Sequence, residues 1–218
     1  IFGSQPLPFK LITMVTDSKS INRAWLNKTS GNFLVLDQIS ADFFLENGIP
    51  EKRIHITGFP VSPLFENYSS NPMERKTPTQ FKILYTPSAK TKHVKKTLKA
   101  LHKAYNISLT IVLGRHAQRL RSSVNTEADN ETRIIEWTNN MPELLNKHHL
   151  VIGKAGGASV QEALASSCPM IIDSMIPGQE EGNAELIANY GAGLVTTNPE
   201  NLEVTIQNIL KENGAKWL

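Results

Sequence analysis

Apolar runs of strand length take turns with amphipathic stretches of helix length along nearly the whole chain. No other feature of the sequence limits the possible folds as much. The strand candidates are Lys10 to Thr16, Asn32 to Leu36, Arg53 to Thr57, Phe81 to Thr86, Ser108 to Leu113, Arg133 to Glu136, Leu150 to Gly153, Met170 to Asp173 and Gly193 to Thr196. Between most of them lie helical patterns, notably Ser40 to Asn47, Lys92 to Tyr105, Met141 to Lys147, Ala158 to Ser166, Glu181 to Tyr190 and Glu200 to Glu212. Strand and helix alternating in this way call for a parallel sheet with right-handed crossovers, so the expected class is α/β, doubly wound.

Residues 66–80 break the alternation with Asn67, Ser69, Ser70, Asn71, Pro72, Thr77, Pro78 and Thr79, a polar, proline-bearing linker. About six βα units follow it, the size of a whole Rossmann-like domain, and only three strands precede it. The expected organisation is the end of a first Rossmann-like domain in 1–65, a linker in 66–80, and a second domain over 81–218. Ile1 is not a translation start, and three strands do not close a doubly wound layer. The expectation is therefore a piece of a longer protein.

The chain is 40% hydrophobic and 20% charged, which supports a packed core and excludes wholesale disorder. No window reaches the ~18 consecutive apolar residues of a membrane span, and the first residues do not form a secretory signal. The single cysteine, Cys168, excludes a disulfide framework and a thiolate metal cluster, and a cytosolic setting is expected. The histidines show no HExxH or Cys/His ligand spacing, and adjacent His148 and His149 point to different sides. No metal site is expected.

The most informative local segment runs Leu150-Val151-Ile152-Gly153-Lys154-Ala155-Gly156-Gly157-Ala158-Ser159-Val160-Gln161-Glu162. A buried strand enters a small-residue turn and then a helix, which aims unpaired backbone N–H groups and the positive helix end at whatever occupies the turn. That is the layout of a phosphate site, with Gly156 and Gly157 permitting positive φ and close backbone approach. The spacing is neither GxGxxG nor a Walker P-loop, because Lys154 precedes the glycines and no GK[ST] follows. The competing reading is an ordinary turn in which Ser159 and Glu162 form an S-x-x-E capping box. A second polar loop, Ile176-Pro177-Gly178-Gln179-Glu180-Glu181-Gly182-Asn183, also leaves a strand and enters a helix. In a doubly wound sheet both loops open at the carboxyl edge, so Gln179, Glu180 and Asn183 would share a crevice with Gly156, Ser159 and Glu162. Carboxylates and amides there suit vicinal hydroxyls such as those of ribose or a hexose. The competing reading of Gln179 to Glu181 is an acidic helix start that complements the macrodipole.

The stretches GKAGGASVQEALASSCPMII and IPGQEEGNAELIANYGAG, preceded in order by VTDSKSINRAW, ISADFFLENGIPEKRIHITGFPVSPLF and IEWTNNMPELLNKHHLVIGKAGG, resemble the UDP-sugar-dependent lipid glycosyltransferases. That group comprises monogalactosyldiacylglycerol synthases, processive diacylglycerol glucosyltransferases and, more distantly, the N-acetylglucosaminyltransferase of the lipid-linked peptidoglycan precursor. The resemblance implies a GT-B fold, two Rossmann-like domains facing across a cleft, with the sugar nucleotide held mainly by the second. It implies that Gly156, Gly157, Ala158 and Ser159 meet the diphosphate and that Glu162 accepts from the ribose hydroxyls. Gln179 and Glu180 would then contact the donor hexose, and the segment from Ile135 to Met141 would lie beside uracil. Ser88 stands where the family places another phosphate contact, although Thr86-Pro87-Ser88-Ala89-Lys90-Thr91 departs from the glycine-rich form of that loop.

The implied activity is inverting, metal-independent hexosyl transfer from UDP-galactose or UDP-glucose to a lipid, diacylglycerol foremost, with UDP-sugar as substrate and no cofactor. The family's catalytic histidine lies in the first domain ahead of these motifs, so no catalytic base is expected in this chain. Asp17 and Arg23 follow the first strand and face the cleft in relatives, which makes Asp17 a candidate on the acceptor side. The alternatives are a non-catalytic UDP-sugar-binding module and a UDP-sugar 2-epimerase on the same fold.

Charge adds one further expectation. Residues 75–121 carry 12 Lys/Arg and no Asp/Glu, whereas 122–218 carry 5 against 13. On a helical wheel Lys92, Lys95, Lys96, Lys99 and Lys103 fall within about 100°, opposite Val94, Leu98, Leu101 and Tyr105. The stripe reads as a solvated face or as a contact with anionic lipid, which would place the protein peripherally on a membrane. No aromatic interleaving accompanies the charge, and no nucleic-acid partner is expected. His93 and His116 are read as exposed loop histidines, and Trp25, Trp137 and Trp217 as packing residues.

Overall fold

A computed structural model describes residues 9–69, 80–211 and 214, apart from 18, 20, 28 and 130. Residues 70–79 of the expected linker and Trp217 lie outside the described residues. Two parallel sheets organise the rest. The first has the order β1-β2-β3, built from β1 (Ile12–Met14), β2 (Asn32–Val35) and β3 (Ile54–Ile56). Helix α1 (Gln38–Glu46) connects β2 to β3, and the Asp37 carboxylate caps it by accepting from Ser40 N–H at 2.7 Å. Val15, Ile21, Phe33, Val35, Ala41, Phe44 and Ile49 form the core of this layer. The polar stretch expected as a linker from residue 66 begins with a helical turn, α2 (Glu66–Ser69). Phe65, buried just ahead of it, packs into one of the cores of the second sheet described below.

The second sheet has six parallel strands, β4 (Phe81–Thr86), β5 (Ile107–Val112), β6 (Arg133–Ile135), β7 (Leu150–Lys154), β8 (Met170–Ser174) and β9 (Gly193–Val195). Their spatial order is β6-β5-β4-β7-β8-β9. The chain builds outward from β4 in one direction, then returns to its other side and builds outward again. The strand order therefore reverses between β4 and β7, and in such sheets ligands bind outside the carboxyl edge at that point.

The sheet separates two cores. On one face Val94, Leu98 and Leu101 of α3 (Thr91–His102), Leu120 and Val124 of α4 (Ala117–Glu127), and Leu202, Ile206 and Ile209 of α8 (Pro199–Leu210) pack on Ile83, Tyr85, Ile111 and Ile152. On the other, α5 (Met141–Lys147), α6 (Gly157–Ala165) and α7 (Glu181–Asn189) cover Leu84, Val112, Val151, Met170 and Ile172. Strands β7 and β8 are sandwiched between both layers, which is why their sequences are apolar without alternation.

Helix α3 ends at His102, short of the expected Tyr105, whose ring is 90% exposed. The chain turns at Asn106, which takes φ 60°, and leaves Tyr105 off the helix face that the wheel assigned to it. The lysine stripe does project from α3, but two of its members are matched across the helix layer. Lys99 lies 4.0 Å from Glu127 of α4, and Lys103 lies 2.8 Å from Glu203 of α8. No helix among the described residues is long and apolar enough to cross a membrane.

Candidate functional site

The carboxyl ends of β4 and β7 are neighbours, with Thr86 opposite Gly153 in register. Each strand feeds a helix, α3 on one face and α6 on the other, so two helix N-termini flank the reversal point. Neither N-cap offers a side-chain hydrogen bond: the positions are held by Lys90 and Gly156. The orphan N–H groups of the first turn of α6, at Gly157, Ala158 and Ser159, keep no internal acceptor and present partial positive charge to the edge. The Ser159–Glu162 capping box does not form, because the helix begins two residues before Ser159 and puts both side chains inside it.

Gly156 takes φ −70° and Gly157 stays out of the left-handed region, so positive φ is not the reason for this glycine pair. Close approach is. A Cβ on Gly157 would lie 3.3 Å from Thr16 O and 3.7 Å from the Phe59 ring, where the first sheet's loops come down onto the turn. The sequence reading missed a third glycine with the same role. A Cβ on Gly153 would lie 2.2 Å from Thr86 Oγ1. A lone glycine inside an otherwise apolar strand was the available signal.

A cavity of about 350 Å³ lies where these elements meet, lined by Thr16, Asp17, Asn22, Phe59, Gly157, Ala158, Gly178, Gln179, Glu180 and Asn183. Loops from both sheets contribute to it. Of the residues singled out in the sequence, it unites Asp17, Gly157, Ala158, Gln179, Glu180 and Asn183. Gly156, Ser159, Glu162, Ser88 and Met141 are not among its lining.

Several of these groups already have structural duties. The buried Glu180 carboxylate accepts from Ile176 N–H at 2.8 Å and pairs with Lys154 at 2.6 Å, closing its own loop and tying it to the end of β7. Asn183 is buried and donates to Ala155 O at 3.0 Å, fixing α7 to the glycine turn. Glu181 accepts from Gly178 N–H at 2.6 Å, which holds its carboxyl below the usual range. Asp17 accepts from Trp25 Nε1–H at 2.6 Å, so half-buried Trp25 orients a cleft carboxylate as well as packing on the first core. Gln179 is exposed at the loop tip.

Glu162 differs. It sits in the second turn of α6, partly buried, and its side chain has no partner among the described residues; burial pushes its carboxyl above the usual range. Ser88 is buried in the loop before α3, and its hydroxyl has no hydrogen-bond partner among the described residues. Ser88 is buried and Glu162 half-buried, and an incoming ligand can satisfy both polar groups. Met141 opens α5 and packs against the core beneath it.

Two expectations are corrected. His93 is no exposed loop residue: it lies in the first turn of α3, and its Nε2 is 3.1 Å from Oδ2 of Asp173, a side chain 1% exposed at the end of β8. Thr97 donates to the same oxygen at 3.4 Å and Ser174 to the other at 3.0 Å. Burial and the neighbouring Asp173 push the Tyr85 phenol, in the same cluster, well above its usual range. Trp137 does not pack. Its ring is 58% exposed on the loop before α5, with Nε1–H donating to Asn139 at 3.2 Å.

Two Rossmann-like parallel sheets meeting at a shared crevice, with the larger sheet's reversal point at its floor, define a protein of the GT-B architectural class. The chain belongs to glycosyltransferase family 28, whose C-terminal domain matches residues 87–216. Residues 4–61 match monogalactosyldiacylglycerol (MGDG) synthase. A processive diacylglycerol beta-glucosyltransferase of Staphylococcus epidermidis is 29% identical over 216 residues, covering 93% of this chain and 54% of that protein. Monogalactosyldiacylglycerol synthase 3, chloroplastic, of Arabidopsis thaliana is 24% identical, covering 93% of this chain and 46% of the relative. The chain spans about half the length of the curated relatives it matches. Among solved structures, UDP-GlcNAc 2-epimerase from Neisseria meningitidis, bound to UDP-GlcNAc, shares the fold at TM-score 0.63 and 17% identity, over 90% of this chain and 56% of that one.

Proposed function

We propose that the protein transfers a hexosyl group from UDP-glucose or UDP-galactose to a lipid acceptor, diacylglycerol, with inversion and without a metal ion, and that these 218 residues supply the donor site. The observation that carries this reading is the uncapped N-terminus of α6, set at the strand-order reversal and facing the crevice shared with Gln179 and Glu180. The acceptor hydroxyl attacks the anomeric carbon, a new C–O bond forms there, and the bond to the diphosphate oxygen breaks with its electron pair leaving on UDP. N–H groups of Gly157, Ala158 and Ser159 stabilise that developing negative charge in place of a cation. The hydroxyl proton goes to a base that this reading places in the part of the relatives' length that the chain does not span. Glu162 accepts from the ribose hydroxyls, Ser88 meets a phosphate oxygen, the 135–141 segment lies along uracil, and Gln179 and Glu180 select the hexose.

The same reading places the protein on the cytoplasmic surface of a membrane, held there by Lys92, Lys95 and Lys96. No ion-pair partner for these three is found among the described residues, while Lys99 and Lys103 also face acids of the neighbouring helices. Each basic side chain near an anionic surface contributes about 1 kcal/mol.

The test is transfer of labelled hexose from UDP-hexose to diacylglycerol by the full-length protein, with and without EDTA. Glycolipid formed in both supports the proposal. UDP-hexose binding without transfer would mark a binding module instead, epimerised UDP-sugar would mark the 2-epimerase reading, and transfer abolished by EDTA would overturn the metal-free mechanism.

A further inference from the structure

A second cavity, of about 450 Å³, lies on the same sheet but away from the crevice, between α5 and the strands it covers. Lys82 opens the β4 side, Ser108 and Thr110 come from β5, Arg133 from β6, and Glu143, Leu144, Lys147 and His148 from α5 and its end. Lys82, Ser108 and Arg133 stand at or next to the first residues of β4, β5 and β6. The two cations therefore enter the cavity at the amino half of these strands, and its far side reaches Ile135 at the end of β6 and Thr138 and Asn140 after it, whereas the crevice has other lining at the carboxyl edge.

The register makes this a convergent site. Lys82 pairs with Ser108, and Thr110 pairs with Arg133, so four polar side chains emerge from one face of three adjacent strands. That face carries Leu84 and Val112 further along, where α5 and α6 cover it, and turns polar only here. Strand spacing and the two-residue offset along β5 set the Lys82 and Arg133 backbones about 12 Å apart, a gap that two long side chains can close on one small anion.

The charges do not balance within the cavity. Glu143 pairs with Lys147 and also feels the charge of Arg133, so one carboxylate stands against three cations; neither Lys82 nor Arg133 has an ion-pair partner within 4 Å among the described residues. The inner wall is buried and polar: His148 Nδ1–H donates to Leu144 O at 2.6 Å, and its Nε2 accepts from the Thr110 hydroxyl at 3.0 Å. Burial holds this imidazole below the usual histidine range, and the nearby Lys82 and Arg133 push the same way. The wall thus stays neutral while two cations face it, with the Ser108 hydroxyl between them as a further donor.

We infer that this cavity is a second anion site, which takes a phosphate group between Lys82 and Arg133. Hexosyl transfer at the crevice uses neither Lys82 nor Arg133; Ile135, Thr138 and Asn140 at the cavity's far side belong to the segment assigned to uracil, and the inference on the two cations stands whether or not that transfer is the protein's reaction. A soluble phosphomonoester and the phosphate of a lipid headgroup present the same chemistry, and the experiment separates them.

The full chain is saturated with UDP, so that the crevice is occupied, and titrated with inorganic phosphate, with sn-glycerol 3-phosphate, and with phosphatidylglycerol or phosphatidylcholine vesicles. The readouts are the backbone amide resonances of Ser108, Thr110 and Arg133 and the imidazole resonances of His148. Bound phosphate should shift all of them and raise the pH at which His148 titrates, because a dianion offsets Lys82 and Arg133. Lys82→Gln and Arg133→Gln should each weaken phosphate binding by about tenfold, as loss of one charge-assisted contact implies, and Arg133→Lys should recover part of the loss. Response to the soluble phosphates assigns a soluble ligand. Response to phosphatidylglycerol vesicles alone, with none to phosphatidylcholine, assigns a headgroup. An unchanged phosphate response in the Lys82→Gln/Arg133→Gln double variant, or no movement of these resonances with any probe, would overturn the inference.

Discussion

The hydroxyl of Thr86 sits over the α-carbon of Gly153: the two residues are register partners at the ends of β4 and β7, and a Cβ on Gly153 would come within 2.2 Å of Thr86 Oγ1. This contact is at the point where the strand order reverses, so the spacing of α3 and α6 depends on it. Gly153→Ala must push the strands or the threonine side chain apart. It should cost about 1–3 kcal/mol in denaturant unfolding, as overpacking at a closed site does, and weaken UDP binding as the two helix ends separate. Thr86→Ala in the same chain should recover part of the stability, since the built Cβ is an ordinary 3.5 Å from Thr86 Cβ but still 3.0 Å from its carbonyl. Equal stability of Gly153→Ala and the parent chain would count against this account.

Glu162 gives a pH-dependent prediction. Burial raises its carboxyl pKa in the folded chain, so the folded state binds its proton more tightly than the unfolded state does. Stability from this group is accordingly lost as pH rises from the ordinary carboxylate range, about 4.3, through the raised folded value. Glu162→Gln removes that loss. It should melt higher than the parent at pH 7, with the difference shrinking as pH falls toward 4. In calorimetry the same variant should bind UDP more weakly by roughly tenfold, because an amide replaces an ionised acceptor of two hydroxyl donors. Undiminished UDP affinity would remove Glu162 from the ribose site.

These two residues also mark how far a sequence can be read. Strand β4 and helix α5 have the bounds their periodicity predicts, and the glycine turn before α6 is legible because strand, turn and helix are consecutive. Helix α4 gives no comparable signal. Its sequence AQRLRSSVNTE buries only Leu120, Ser123 and Val124, and packing on α3 rather than its own pattern holds it. The site residues divide on the same principle. The exposed backbone donors follow from local order, whereas the engagement of Glu180 by Lys154, and of Asp173 by His93, joins segments 26 and 80 residues apart that only the sheet topology brings together. Polar residues near a crevice look alike in sequence whether they hold the loop or meet the ligand.

The His93–Asp173 pair should be structural in the first instance. Asp173 is 1% exposed and relies on His93, Thr97 and Ser174 for its hydrogen bonds. His93→Ala leaves one of those contacts unmade in a site that water enters poorly, at a cost of about 1–3 kcal/mol in thermal or denaturant unfolding. His93→Asn, which keeps a donor on a shorter side chain, should lose less. The first turn of α3 follows the Ser88 loop directly, so amide exchange at residues 88–93 should quicken more in His93→Ala than exchange in α8. Uniform quickening through both helices would show that the pair supports the whole layer and not the loop.

Gln179 and Glu180 are adjacent in sequence and should separate in experiment. Gln179 is exposed at the loop tip and lines the crevice, and its side chain makes no hydrogen bond among the described residues; Glu180 is buried, caps Ile176 N–H and pairs with Lys154. If Gln179 meets only the hexose, Gln179→Ala should lower affinity for UDP-hexose by about tenfold while leaving affinity for UDP unchanged, since a sugar contact is absent from the second ligand. Glu180→Ala should lower both, because the loop loses its internal cap and Lys154 is left beside the glycine turn. Lys154→Met should share part of that second pattern. Parallel isothermal titrations with UDP and UDP-hexose check all three, and equal losses for UDP and UDP-hexose in Gln179→Ala would move that side chain from sugar recognition to the upkeep of the loop.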